Sequence, residues 1–321
     1  MTVAGQPQTK CATDPTDLTW KALRRGSVSR ARVISLSRPV LELITPDEQP
    51  ATELARYRSA VNIAVQDAIV TLVTPQLRNG PFHIVVTSLP PPQVVPSFSV
   101  YRDQDQIHLG GWACWLGPCF EVWEPRVDWA ALAVSPIAAT YLARQVENLK
   151  AQRSAQAQNA FTNDLQAAFD AAAVQLSRAV VASDCSAISA TAAALAGLGP
   201  GLTPAGDDLL AGMMLALQAG SQPQARAYCG TIFEAAAPRT TRLSGAFLRA
   251  AYEGKVDERW HDLLRSLASG DNVLVDQAAA AVAAFGATSG VAMLDGFVLG
   301  LEACRASTGV TREQSSANTI E

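Results

Sequence analysis

Past residue 127 the apolar residues stop alternating and begin to recur at helical spacing, and this change constrains the fold more than any other feature of the chain. Residues 129–182 carry almost no glycine or proline after Pro136, so little there interrupts a helix. Helices are expected over 136–153, 159–182, 187–196, 206–219, 223–236, 243–253, 258–269, 273–285 and 290–303. The loops between them hold the punctuating residues: Gly197 to Gly206, Gly220, Pro238, Gly254, Gly270 and Gly286. Alanine is very frequent in this half, which implies helices packed closely through small side chains. No solenoid-type repeat is evident.

Residues 30–126 read as strands and turns with one helix. Arg32–Leu36, Val40–Thr45 and Phe82–Thr87 are β-type runs, the last closed by Pro90, Pro91 and Pro92, which cannot continue a ladder. Between them, Leu54, Tyr57, Ala60, Val61, Ile63, Ala64, Ala68 and Val70 fall at helical spacing and predict a helix over 51–74. Phe98–Tyr101, Gln106–Leu109 and Cys119–Trp123 alternate in polarity around Gly110-Gly111 and Gly117-Pro118, as in a small meander or partly open barrel. Trp112, Trp115, Trp123 and Trp129 are read as its core. The expected class is α+β: a small β-rich domain over 30–126, then a larger, mostly helical domain over 127–305, between polar tails at 1–29 and 306–321.

Composition narrows the function classes. Hydrophobic residues make up 49% of the 321 and charged residues 17%, which excludes wholesale disorder. Net charge is −4, and the densest basic stretch (Lys21, Arg24, Arg25, Arg30, Arg32) has no aromatic platform beside it, so no nucleic-acid partner is expected. No apolar leader and no uninterrupted apolar span are visible, and the six scattered cysteines form no CxxC pair. A cytoplasmic protein with reduced thiols, no disulfide and no membrane partner is the expectation.

The chemistry concentrates at Gly197-Leu-Gly-Pro-Gly-Leu-Thr-Pro-Ala-Gly-Asp-Asp208, followed at once by the apolar run Leu209–Leu217. Gly197, Gly199 and Gly201 free the backbone for positive φ and close approach to a ligand, while Pro200 and Pro204 stiffen it. Leu202 lies at the turn, Thr203 supplies a hydroxyl, and Gly206 stands where the helix begins. Amides at a helix N-terminus favour an anion. Asp207 and Asp208 occupy that same first turn. They either cap the helix, or one of them faces the ligand, binding Mg²⁺ beside a phosphate or accepting a hydrogen bond from an amide. The sequence requires no cofactor, and Mg²⁺ at this pair is the candidate it offers. The string matches neither GxxxxGK[ST] nor the dinucleotide GxGxxG after a strand.

Two later segments are candidates to join it. Arg239-Thr-Thr-Arg-Leu-Ser-Gly245 opens a helix after Pro238; Thr240 or Thr241 caps it, and Arg242 or Arg249 is placed to clamp a carboxylate or phosphate. Gly286-Ala-Thr-Ser-Gly290 is a second hydroxyl turn, with Thr288 and Ser289 as N-cap residues or ligand contacts. The three histidines, His83, His108 and His261, have no nucleophile partner by motif, and GxSxG is absent.

Residues 197–212 closely resemble the signature of a bacterial uncharacterised-domain family that includes the third, H-type subunit of oxamate carbamoyltransferase. Thr241–Gly245 and Gly286–Gly290 resemble its secondary blocks. The last block departs at Ala287, where the family often has histidine, and at Val291-Ala292, where it tends to be polar or acidic. The resemblance implies a subunit that acts with two others, converting oxalurate and phosphate into oxamate and carbamoyl phosphate in allantoin degradation. It also implies Thr203, Asp207 and Asp208 as catalytic residues. Gly197, Gly199, Gly201, Leu202, Gly206, Arg242, Ser244, Thr288 and Ser289 would hold phosphate, carbamoyl phosphate, oxamate or oxalurate. A different class of function fits the same residues: a non-catalytic scaffolding or metabolite-binding subunit.

Overall fold

A computed structural model describes residues 31–92, 97–156, 163–220 and 223–317. The tail read over 1–29, Arg30, Cys11 and residues 318–321 lie outside them. The chain divides into two compact units, Met1–Trp123 and Glu124–Glu321.

The first unit corrects the expected α+β class with its small meander or partly open barrel. Its strands are β1 (Ala31–Ser37), β2 (Gln49–Arg56), β3 (Ala60–Val65), β4 (Ala68–Val73), β5 (His83–Val86), β6 (Ser97–Arg102), β7 (Gln106–Leu109), β8 (Trp112–Trp115) and β9 (Glu121–Trp123). The sheet runs β5-β4-β3-β2-β6-β7-β8-β1-β9, and β1 also pairs β5 through Val33↔Val86, Ser35↔Val85 and Leu36↔Ile84. That second pairing closes an eight-stranded barrel, with β9 added parallel to β1. Closure removes the free edges an open sheet would expose.

Side chains at every second position fill one interior: Val33, Val61, Ile63, Val65, Val70, Leu72, Ile84, Val86, Ile107 and Leu109 are all at most 3% exposed. In β3, β4 and β5 the opposite face is buried as well, down to Asn62, whose Oδ1 accepts from the Thr71 hydroxyl at 2.8 Å. A strand buried on both faces reads as a continuous apolar run, which imitates a helix. The helix predicted over 51–74 is therefore β2, β3 and β4. The opposite error stands at 40–45, where α1 (Arg38–Leu43) replaces the expected strand, with Pro39 in its first turn where the missing N–H costs nothing. Of the four tryptophans read as one core, Trp112 alone is buried in the barrel cluster, and Trp129 belongs to the second unit, donating to Gly254 O at 3.1 Å.

The second unit is helical: α2 (Pro136–Gln156), α3 (Asn163–Val181), α4 (Cys185–Leu195), α5 (Ala205–Ala219), α6 (Ala225–Ala236), α7 (Arg242–Tyr252), α8 (Glu258–Ser269), α9 (Asn272–Ala283) and α10 (Ser289–Ala317). The predicted helices fall on these nearly residue for residue, except that α10 continues into the stretch read as a tail from 306. Asp184, Asp257 and Asp271 cap α4, α8 and α9, accepting from amides of their first turns. The unit is organised round α5, of which all but Gln218 is buried. α5 lies along α10 so closely that a Cβ at Gly212 would collide with Met293 O, and one at Gly296 with Leu209 O. Small residues at these crossings let two backbones meet, and Leu209, Met213, Leu294 and Phe297 fill the flanks without exposure.

No helix among the described residues is long and apolar enough to cross a membrane. Cys114, Cys185, Cys229 and Cys304 are free thiols, three of them buried. Cys119 is disulfide-bonded, which corrects the expectation of a chain without disulfides.

Candidate functional site

The glycine-rich loop joins α4 to α5 and takes its shape from its glycines. Gly197, Gly199 and Gly201 have φ of 71°, 123° and 95°. A side chain at Gly197 would also press on Arg239 O at 2.8 Å, whereas at Gly201 nothing lies within 4 Å. The positive φ expected of all three is present, and the space beside Gly201 is open.

Three helix N-termini meet at this loop. α5 begins directly after it. α7 is tied in by Thr241, whose hydroxyl accepts from Ser244 N at 3.0 Å as the N-cap and donates to Leu202 O at 2.5 Å. α10 is tied in by Ser289, whose hydroxyl lies 3.0 Å from that of Thr203. Each N-terminus carries a partial positive charge, and the three reinforce one another where they converge.

The acidic pair divides its work. α5 has no side-chain cap: the Asp207 and Asp208 amides donate to Pro204 O. Asp207 is 1% exposed and acts as a clamp between segments. Its Oδ1 accepts from Gly197 N at 2.9 Å, and its Oδ2 accepts from the Ser244 hydroxyl at 2.8 Å and, more closely still, from the Thr240 hydroxyl. Those three donors join both ends of the loop to α7.

Asp208 is buried too, at 5% exposure, but differently served. It takes a hydrogen bond from Ser289, while its Oδ2 has no partner within the protein. Burial, with the neighbouring charge of Asp207 adding to it, outweighs the Ser289 bond and pushes its carboxyl up to about 8. Thr203, Ser289 and Asp208 thus form a chain of hydroxyl, hydroxyl and carboxyl across the junction of α5 and α10.

Thr203, Asp207, Asp208, Ser244 and Ser289 are brought together by these bonds, with Gly197 and Leu202 joined through their backbones. Gly206 lies in the first turn of α5 and has another task, since a Cβ there would strike Leu195 O. Arg242 and Thr288 are exposed at the starts of α7 and α10. Arg249 is spent elsewhere, its Cζ 5.2 Å over the Phe233 ring. No group of three or more His, Cys, Asp or Glu among the described residues could hold a metal ion, and the Asp207 oxygens are occupied by donors. Sequence reasoning had placed Thr240 and Thr241 only as helix caps; their bonds to Asp207 and Leu202 span 33 and 39 positions, beyond the reach of local patterning.

Residues 195–301 match the family model described as oxamate carbamoyltransferase subunit AllH, a segment that contains the loop, α5, the start of α7 and the Ser289 turn. The match supports the family that includes the H-type subunit, the same resemblance the loop carries. It lies wholly within the helical unit. No curated relative and no solved structure matches the chain.

Proposed function

We propose, from this family match, that the chain is a subunit of an oxamate carbamoyltransferase complex and that the three-helix junction is where it holds an anionic ligand. The convergence of the α5, α7 and α10 N-termini on a loop opened by Gly199 and Gly201 carries the reading. Such a junction suits phosphate or carbamoyl phosphate, and Arg242 at its rim suits a carboxylate of oxalurate or oxamate. In the reaction a phosphate oxygen adds to the ureido carbonyl of oxalurate. The C–N bond to oxamate breaks, the departing nitrogen takes a proton, and carbamoyl phosphate remains. Loop amides and the Thr203 hydroxyl stabilise charge on the carbonyl oxygen, and Asp207 keeps them in position. Oxalurate arises in allantoin degradation, and a cytoplasmic place in that pathway belongs to the same proposal, checked by cell fractionation.

Reconstitution tests it. The chain, mixed with its cognate partner subunits, is expected to form carbamoyl phosphate from oxalurate and phosphate, and Gly201→Val to abolish this while the assembly survives. Turnover undiminished by Gly201→Val, with phosphate binding lost, would favour the scaffolding reading, in which the loop holds a metabolite away from the chemistry.

A further inference from the structure

Asp208 presents a choice that the proposed function leaves open: an ionised carboxylate suits a metal ion or an amide N–H, while a neutral acid suits an oxygen acceptor. We infer that Asp208 meets the ligand as a neutral carboxylic acid, its Oδ2–H donating to an oxygen of a phosphoryl, sulfuryl or carboxylate group. The inference rests on the junction being the ligand site, and it names the chemistry the site selects: an oxygen-rich anion, bound without a metal.

Four observations carry it. First, both oxygens of Asp207 are engaged by donors of the protein, one amide and two hydroxyls, so the neighbouring carboxyl is the one left to meet a ligand. Second, Asp208 follows directly in the chain and is 5% exposed, so a second carboxylate would repel the first without water to screen it. Third, the Ser289 hydroxyl is shared between Asp208 and the Thr203 hydroxyl 3.0 Å away, which leaves Asp208 Oδ2 as the atom without a partner and with room for a proton of its own. Fourth, an ionised Asp208 would oppose the anion that the three helix N-termini attract, whereas a neutral one adds a donor. Oδ2 is shut off from solvent in the structure, so a ligand oxygen that accepts its proton has to displace what covers it.

The neighbours leave this protonation to Asp207 and burial. Among the charged groups on packed elements, Arg239 and Arg242 are exposed, and Asp295 of α10 is paired with Lys150 at 2.9 Å. Burial and the Asp207 charge together hold the Asp208 carboxyl up at about 8.

Sulfate is the probe, because its charge does not change between pH 6 and 9. Calorimetric titration of the full chain at constant ionic strength should give an affinity that is level to about pH 7 and falls about tenfold by pH 9, one pH unit above the Asp208 value. Asp208→Asn, whose amide still donates, should bind within about threefold of the parent at pH 6 and lose the decline. Asp208→Ala should bind at least tenfold more weakly throughout, with thermal melts confirming that each variant is folded. Sulfate binding that is absent, independent of pH in the parent, dependent on added Mg²⁺, or lost equally in Asp208→Asn and Asp208→Ala would overturn the inference. Failure of oxalurate turnover with this sulfate profile intact would remove the assigned reaction and leave the inference standing; turnover with pH-independent sulfate binding would do the reverse.

Discussion

At the scale of single residues, the two adjacent aspartates show how little identity says about role. Both are buried in the first turn of α5, yet Asp207 accepts three hydrogen bonds and Asp208 keeps one oxygen without a partner. Asp207→Ala leaves Gly197 N and the Thr240 and Ser244 hydroxyls without their acceptor, so it should cost about 3 kcal/mol or more in urea denaturation. A loss under 1 kcal/mol would mean that the clamp is dispensable. For Asp208 the native carboxyl is raised to about 8, against about 4 in the unfolded chain. Its stabilising contribution is therefore full below about pH 4 and lost as pH rises through 8, because the folded state holds a proton that the unfolded state has released. Asp208→Asn has no proton to lose, so its Tm should gain steadily on the parent's from pH 5 to about pH 8 and then run level with it. Parallel curves would count against the raised value. The loop glycines, Thr203 and both aspartates stand together in the chain and Ser244 in a later block, so all were readable as candidates; that Ser244 and Thr240 meet Asp207, and Thr241 meets Leu202, is set only by the fold.

At the scale of elements, the two units differed in legibility. The helices of the second unit are long runs without internal proline, several of them bounded by Asp184, Gly220, Asp257, Gly270 or Asp271, so they were readable even where, as in α5, nearly every residue is buried. β3 and β4 are buried on both faces and lack the alternation that marks a strand, and β2, whose outer face does alternate, was drawn into the same false helix. The crossing of α5 and α10 was invisible because Gly212 and Gly296 matter only where two backbones meet. Gly212→Val and Gly296→Val should each cost about 3 kcal/mol or prevent folding, since the obstructing atoms are main-chain carbonyls that cannot turn aside. Gly201→Ala is the contrast: no atom lies within 4 Å, and only the φ of 95° opposes it, at about 1 kcal/mol. Equal destabilisation at all three positions would show that backbone conformation, rather than close packing, governs these glycines.

At the scale of the whole molecule the described residues hold two large hydrophobic clusters, one filling the barrel and one running through the helices round α5, besides a small third of Ala60, Val73 and Val85. Barrel closure was beyond reach of the sequence, because β1 and β5 pair across about fifty positions and nothing local marks the register. A chain with two cores need not unfold as one unit. Scanning calorimetry should resolve two transitions. Leu72→Ala, in the barrel interior with no exposure, should lower one of them by removing about 3 kcal/mol of packing. Leu142→Ala, equally buried in α2, should lower the other. The family match and the three-helix junction both lie in the helical unit, so Leu72→Ala should also leave sulfate affinity unchanged under conditions where the native state persists. A single transition displaced alike by both substitutions, or sulfate binding lost in Leu72→Ala, would mean that the barrel supports the ligand junction directly.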